Sequence, residues 1–454
     1  MNIPKVIKTV VSNDLCIGCG LCVYKCPNKA LEMKWNEYGF LTPTLSGNCD
    51  TTGNCVSVCP FNPCPDDEVK TEIEIAEIFL KASPSYHPKI GKYHGIYAGY
   101  SKQYRLTSSS GGIATYVFTE LLNKGIVDYI FSVKESNQSG VHYEYSISSS
   151  KEELLHASKT KYFPVTLGNV MPKINELNGK VAIVGVACFI KAIRLAQHKE
   201  PQLKEKIPFL VGIICGGVKS RFFTEYLASK TGVLTENIDK PQFRIKDFKS
   251  TAGDYSFGCI NKKDSKEHTI KMRTVGDMWG TGMFKANACD FCDDVTTELA
   301  DISLGDAWLR PYDQDGLGTN IIITRSKLAE QLIRNGKEKA ELSVESLPLQ
   351  LALKSQQGSY NHRHLGLGYR INRQKTPIPP KHFDSNQITF DFKLVQLLRR
   401  KTRHQSLEIW KSFPNAKDFD KKIIRVLKIL RLATRLYHYR KAITLPIKHE
   451  MKKK

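Results

Sequence analysis

CIGCGLCVYKCP, residues Cys16 to Pro27, sets Cys16, Cys19, Cys22 and Cys26 at the C-x2-C-x2-C-x3-C-P spacing that wraps a 4Fe–4S cluster. A second run, GNCDTTGNCVSVCPFNPC from Gly47 to Cys64, repeats it with one ligand displaced. Laid under the first, it pairs Cys49, Cys55, Cys59 and Pro60 with Cys16, Cys22, Cys26 and Pro27, and Thr52 falls under Cys19. In a two-cluster module the fourth cysteine of each run serves the other cluster. Cluster one is therefore expected on Cys16, Cys19, Cys22 and Cys59. Cluster two takes Cys49, Cys55 and Cys26, and Thr52 offers no soft thiolate. Either Cys64 swings in, since the chain from Cys55 spans up to ~30 Å, or the second centre is 3Fe–4S. The appearance of Cys64 coincides with the loss at Thr52, so Cys64 is the expected ligand.

The rest of the composition sets the frame. A chain of 454 residues, 41% hydrophobic and 25% charged, has the balance of a globular protein with length for about three domains. Thirteen cysteines call for metal or redox chemistry. The opening MNIPKVIKTVV does not read as a secretory leader. A reducing, cytoplasmic compartment is expected, which favours metal ligation over disulfides. The longest apolar runs, VAIVGVACFI and FLVGIIC, fall far short of the ~20 residues of a spanning helix. Of the net charge of +22, the stretch from Asp391 to Lys454 carries +14, from 19 Lys+Arg against 5 Asp+Glu. The charge thus describes a surface or partner more than the chemistry.

Four segments follow from the pattern: a two-cluster 4Fe–4S ferredoxin domain over 1–66, a linker over 67–94, an α/β body over 95–380, and a basic, mostly helical tail over 381–454. In the body, GIYAGYS, VDYIFSV, GKVAIVGV and PFLVGIIC read as strands. They alternate with the helical stretches GGIATYVFTELLNK, CFIKAIRLAQH and SRFFTEYLASK. This argues a mixed, largely parallel sheet covered by helices, an α+β or α/β class. The shorter pieces PQFRIK, YSFGCI, HTIKM, ADISLG and TNIIITR make the second half more mixed.

Cys188 follows one strand and Cys215 ends the next, at the carboxyl ends where ligand crevices form. Cys289 and Cys292 stand at C-x2-C spacing. Four thiolates suit a third 4Fe–4S cluster or a zinc staple equally on spacing alone. Electrons delivered by the N-terminal clusters need a next acceptor, which favours iron. Cys259 reads as a packed thiol.

The chain from about Asp14 to about Asn372 resembles the family of coenzyme F420 hydrogenase/dehydrogenase beta subunits. The carriers are the two cysteine runs, SSSGG (108–112), TKYFPVTLGNV, VGVACFIKAI, IICGGV, FRIK (243–246), and CDFC with ADISLGDAW. The resemblance implies an iron–sulfur oxidoreductase that binds FAD beside a 4Fe–4S cluster, with coenzyme F420 as substrate of the archaeal members. It implies flavin contacts at Ser109, Ser110, Gly111, Gly112 and Lys161, and the cluster on Cys188, Cys215, Cys289 and Cys292. Two turns depart from the family pattern. Gly185-Val186-Ala187-Cys188 stands where Gly-Thr-Pro-Cys is usual, and Cys215-Gly216-Gly217 where Cys-His-Gly is.

A flavin is also expected on chemical grounds. Iron–sulfur clusters pass single electrons and most organic reductions take two, so a converter is required. Neither a G-x-G-x-x-G fingerprint after a strand nor a P-loop is present. SSSGG before a helix is the phosphate candidate; its plain alternative is a serine-capped helix. Arg244 and Lys246 are candidates for an anion, Asp306 and Trp308 end a strand, and His362 and His364 read as solvated. The expected function is electron transfer between 4Fe–4S clusters and an organic small molecule through FAD. The alternatives are an F420-linked beta subunit, or an electron-transfer subunit with no small-molecule substrate. A redox partner protein is implied and nucleic acid is not. In the tail, Lys421, Arg425, Lys428, Arg431 and Arg435 oppose Ile424, Leu427, Leu430 and Ala433, a cationic amphipathic helix. It packs on the body, docks on an acidic partner, or makes a peripheral membrane contact.

Overall fold

The structure, a computed structural model, describes residues 2–384 and 388–450, with side chains described as far as 443. The two cysteine runs each open a short helix, Leu21–Tyr24 and Asn54–Ser57, and a hairpin joins Leu31–Trp35 to Leu41–Leu45. This module is not a separate bead. Gly20 takes φ 81°, and a Cβ there would meet the Gly168 nitrogen at 2.5 Å, so only glycine lets the body approach. The Leu167 amide donates to the Cys19 carbonyl at 2.9 Å across that contact. Val10, Leu15 and Leu21 of the module share one buried core with Ile183, Ile190 and Leu210 of the body.

The body is built on an eight-stranded sheet. Its order is Leu342–Ser346, Gly95–Ser101, Asn320–Thr324, Ile302–Asp306, Phe209–Ile213, Val181–Val186, Tyr129–Glu135 and Tyr143–Ser148. The four central strands, Ile302–Asp306 through Tyr129–Glu135, are parallel, and both flanks are antiparallel. VAIVGV and FLVGI are continuously apolar because both faces are covered. Ile183 and Leu210 look toward the ferredoxin module, while Ala182 and Val211 pack with Ile113, Val117 and Leu121 of the helix Ile113–Asn123. Period-2 alternation thus distributes one strand between two cores. A second sheet, Ile238–Ile245, Ser256–Asn261 and Lys266–Lys271, is wholly antiparallel.

The segment expected as a linker is structured, and the tail expected to be helical packs on the body, one of its three expected arrangements. The stretch 67–94 holds the helix Glu72–Phe79, closed by a Thr71/Glu74 capping box, and a hairpin of Ser85–His87 with Gly91–Tyr93. The basic C-terminal segment is an antiparallel helix pair, Phe390–Ser412 and Ala416–Glu450, anchored in the body. Trp410 and Phe419 are wholly buried against Tyr226 and Phe284. The Trp410 indole donates to Glu225 at 2.8 Å. No helix among the described residues is long and apolar enough to cross a membrane.

Candidate iron–sulfur and cofactor sites

Cys16, Cys19, Cys22 and Cys59 line one small cavity with Val6, Ile17, Pro60 and Phe61. The two runs thus exchange their fourth cysteines, the order that two-cluster ferredoxins require. Burial pushes the Cys16 thiol up to about 12 and the Cys19 thiol up to about 11; Cys22 and Cys59 also rise well above the ordinary range. Such thiols stay protonated unless a metal supplies positive charge, so iron binding here releases protons. The Gly18 amide already points at the Cys16 sulfur, 3.4 Å away.

The second group is smaller. Cys55 is raised by burial and senses the charges of Cys26 and Cys49. Amides of Ala30 and Thr51 donate to the Cys26 and Cys49 sulfurs at 3.3 and 3.4 Å. Thr52 is exposed, with its hydroxyl tied to Asp50 at 3.0 Å. The expected fourth ligand is not brought in: Cys64 is exposed, and an Asn62 side-chain turn holds its amide at 3.0 Å between Pro63 and Pro65.

Cys188, Cys215, Cys289 and Cys292 form a third group. Cys188 is raised well above the usual thiol range by burial and by the charges of the other three. Cys188 begins the helix Ala187–Lys199 behind one parallel strand, Cys215 follows the next, and Cys289 and Cys292 close a tight turn. The amides of Gly217 and Val218 donate to Cys215 and Cys289 at 3.2 Å each. Arg363, which the sequence did not single out, donates to the Cys292 sulfur at 3.6 Å. Tyr145 stands between the first and third groups. It is buried, senses both Cys19 and Cys188, stacks on Phe189 at 6.2 Å and donates to the Val184 carbonyl at 2.8 Å.

His362 and His364, read as solvated, are held in the buried turn Asn361–Leu365 beside this group. Burial pushes the His364 imidazole down to about 4, and its Nε2 lies 2.8 Å from the Asp293 carbonyl. Close by, His382 lies 3.3 Å from Glu72, 3.1 Å from Asp293 and 3.3 Å from Glu298. Burial opposes its charge, but the three carboxylates outweigh burial and raise it far above the ordinary histidine range. Lys191 and Lys381 neutralise Glu72 and Asp293 at 3.0 and 3.3 Å, so an imidazolium completes the charge balance of this cage.

On the far side of Cys215 the residues expected around a flavin gather. Gly112, at φ 79°, is the N-cap of Ile113–Asn123, and Asn320 Oδ1, not a serine, accepts from the Ile113 amide at 3.3 Å. The serine-capped alternative is therefore not the geometry adopted. Ser109 Oγ instead accepts from the Thr160 amide at 2.9 Å, which brings the Lys161 segment against the loop. Lys246 Nζ donates to the carbonyls of Arg105 and Ser110 at 2.5 and 2.9 Å. Burial lowers Lys246 to about 8 and Lys161 to about 7. Arg244 pairs with Asp306 at 2.6 Å. Tyr162 senses Arg244, Asp306 and Cys215 together and packs on Trp279 at 4.7 Å. The indole covers Gly216, where an added Cβ would lie 3.0 Å from the ring.

Ser108 Oγ, Ser110 Oγ, Arg244 Nε and Asp306 Oδ1 are buried and have no hydrogen-bond partner among the described residues. Buried polar groups are rarely left so. Hydroxyls and a guanidinium left without partners in one region fit a phosphorylated, polar-ringed ligand. Tyr162, Trp279 and Tyr255 supply the aromatic surface. Cys259, by contrast, is buried in the apolar cluster around Phe257.

Comparison with known proteins bears on most of the chain. The model of the coenzyme F420 hydrogenase/dehydrogenase beta subunit matches with its N-terminal part over residues 96–171 and its C-terminal part over 178–349, together more than half of the chain. A 4Fe–4S dicluster domain model matches residues 15–62. The chain is 27% identical over 352 residues to a coenzyme F420-dependent sulfite reductase of Methanocaldococcus jannaschii, covering 74% of this chain and 48% of that protein. It is 22% identical over 354 residues to one of the subunits of the F(420)H(2) dehydrogenase of Methanosarcina mazei, covering 76% and 89%. The chain thus spans about half the length of the first relative and most of the second. A chain of the F420-reducing NiFe hydrogenase complex from Methanosarcina barkeri superposes with a TM-score of 0.48 at 19% identity, over 62% of this chain and 92% of that one.

Proposed function

This chain belongs to the family of coenzyme F420 hydrogenase/dehydrogenase beta subunits, and from that premise we propose that it passes electrons between coenzyme F420 and its own 4Fe–4S centres through FAD, as the beta-type chain of a larger redox assembly. The observation that carries this reading is the continuity from Cys215 through Tyr162 and Trp279 to Arg244, Asp306, Lys246 and Ser110. A bound flavin supplies the exchange between two-electron hydride transfer and the single electrons that clusters carry.

The chain's own residues have separable tasks in this reading. Ser109, Ser110, Gly111 and Gly112 turn the backbone toward a phosphate, and the Lys246 ammonium, fixed on the Arg105 and Ser110 carbonyls, adds charge beside it. Arg244, held by Asp306, orients a polar ring edge. Tyr162 and Trp279 exclude water from the space next to Cys215. Cys188, Cys215, Cys289 and Cys292 would hold a cluster that supplies single-electron exchange, and Tyr145 fills the gap toward the first group. A reducing compartment such as the cytoplasm keeps the thiolates available to iron.

One observation favours a second reading. The histidine that the family pattern sets at position 216 has no room here, because Trp279 covers Gly216. An indole wall in that place suits an organic two-electron substrate other than F420. One experiment separates the readings: anaerobically purified chain, assayed for iron, sulfide, zinc and flavin, then mixed with reduced F420. Bleaching of both flavin and cluster absorbance supports F420. Reduction by dithionite but not by reduced F420 supports another substrate. Zinc-loaded, flavin-free protein rejects both.

A further inference from the structure

The helix Ala416–Glu450 carries two apolar faces, and the fold uses only one. Phe419, Ile423, Val426, Leu427, Leu430, Ala433 and Tyr437 are buried against the body and the helix Phe390–Ser412. Turned roughly 130° away at ~100° per residue, Ile429, Leu432, Leu436, Tyr439 and Ile443 recur at steps of three and four residues and face solvent. Leu432 is 59% exposed, Leu436 53% and Tyr439 67%, so this is a continuous stripe and not the edge of a packed face. On Phe390–Ser412, Phe390 is also exposed, near the end of the stripe where Phe392 packs on Tyr437.

The charges beside that stripe are of one sign. Lys421, Arg425, Lys428 and Arg435 share the exposed side, and none forms an ion pair among the described residues. The acidic residues near the start of the helix, Asp418 and Asp420, are occupied by Asn415 and by Lys230 and Tyr226. An apolar stripe interleaved with unpaired cations, on a helix fixed along its opposite side, has the geometry of an interfacial helix. Its leucines and tyrosine would enter the acyl–headgroup boundary while lysines and arginines reach phosphates.

We propose that this face of the C-terminal helix is a docking surface for an anionic lipid bilayer, on which the protein lies peripherally. An acidic protein surface answers the charge but not the long, one-dimensional apolar stripe, which a bilayer accepts without any complementary groove.

The test is flotation of the full-length, cofactor-loaded protein with vesicles of phosphatidylcholine, with and without phosphatidylglycerol. Two variants accompany it: Leu432→Gln with Leu436→Gln, and Arg425→Gln with Lys428→Gln and Arg435→Gln. All five side chains lie on the solvent side, and unchanged iron content and thermal midpoint check the fold. The parent is expected to float with anionic vesicles only. The apolar variant should lose about tenfold and the charge variant about a hundredfold in affinity, and raised salt should release the parent. The proposal is overturned if the parent stays with neither vesicle type, floats equally with both, or floats undiminished in either variant. It is also overturned if an acidic ferredoxin, and not the vesicles, is what the two variants fail to bind.

Discussion

Arg363 Nη1 stands 3.6 Å from the Cys292 sulfur, and the same guanidinium donates to the carbonyls of Asp294 and Cys215. Burial opposes its charge, but the charges of Cys292, Cys215 and Cys289 outweigh burial and raise it above the ordinary arginine range. A fixed cation beside a ligating thiolate stabilises the reduced, more negative state of a cluster. Arg363→Gln should therefore lower the midpoint potential of the third centre by on the order of 100 mV, with Arg363→Lys between. An EPR-monitored redox titration reads this directly. An unmoved midpoint would mean that the guanidinium only braces the turn.

The second thiol group offers Cys26, Cys49 and Cys55, while Cys64 is exposed. Three thiolates hold a three-iron centre. Low-temperature EPR should show that signal in air-oxidised protein, and the four-iron signals only after reduction with dithionite. Cys64→Ser should leave both signal and iron content unchanged. If the substitution instead removes iron, Cys64 moves to the cluster when iron arrives, as the cysteine spacing suggests.

The sequence made the ligand groups legible because thiolate spacing and strand ends are local signals. Cys188 and Cys215 could be placed near one crevice from the strands VAIVGV and FLVGI alone. Arg363 could not be found that way. It reaches the cysteine group from a turn 71 residues past Cys292, and nothing in NHRHL distinguishes a buried guanidinium from a solvated one. The same blindness misread His364 as exposed. In the tail the amphipathic period was visible, and Leu427, Leu430 and Ala433 are buried as it implies, but a period of 3.6 cannot tell one apolar face from two. Trp279 over Gly216 was hidden because a glycine states only that room is needed, not what fills it.

That the C-terminal pair belongs to the body can be measured. Trp410 is fully buried between Tyr226, Phe284 and Phe419, at ring distances of 5.7, 6.1 and 5.6 Å. Trp410→Ala should cost about 3–5 kcal/mol of stability and leave the Glu225 carboxylate, which burial already raises, with only Arg221 at 3.4 Å. Denaturant unfolding should show one lowered transition for the whole body. Early release of the tail by protease, with the body's transition unmoved, would instead mean an independent appendage.

Lys246 gives the proposed flavin site a pH signature with a definite sign. Burial, followed by the charges of Arg105 and Arg244, lowers its ammonium to about 8. A phosphate contact needs that proton, so apparent FAD affinity of flavin-stripped protein should be level below about pH 8. Above it, affinity should fall toward tenfold per pH unit, one proton per site. Stability of the same flavin-free protein should move the other way. The unfolded chain keeps the lysine proton to about 10.4, so between about pH 8 and 10.4 it binds more protons than the folded chain, and folding gains. Lys246→Met should weaken FAD at neutral pH, flatten its pH profile and remove this lysine's share of the alkaline gain. Fluorescence titration of FAD across pH measures the first two, and an unchanged slope in the variant would place the phosphate away from Lys246.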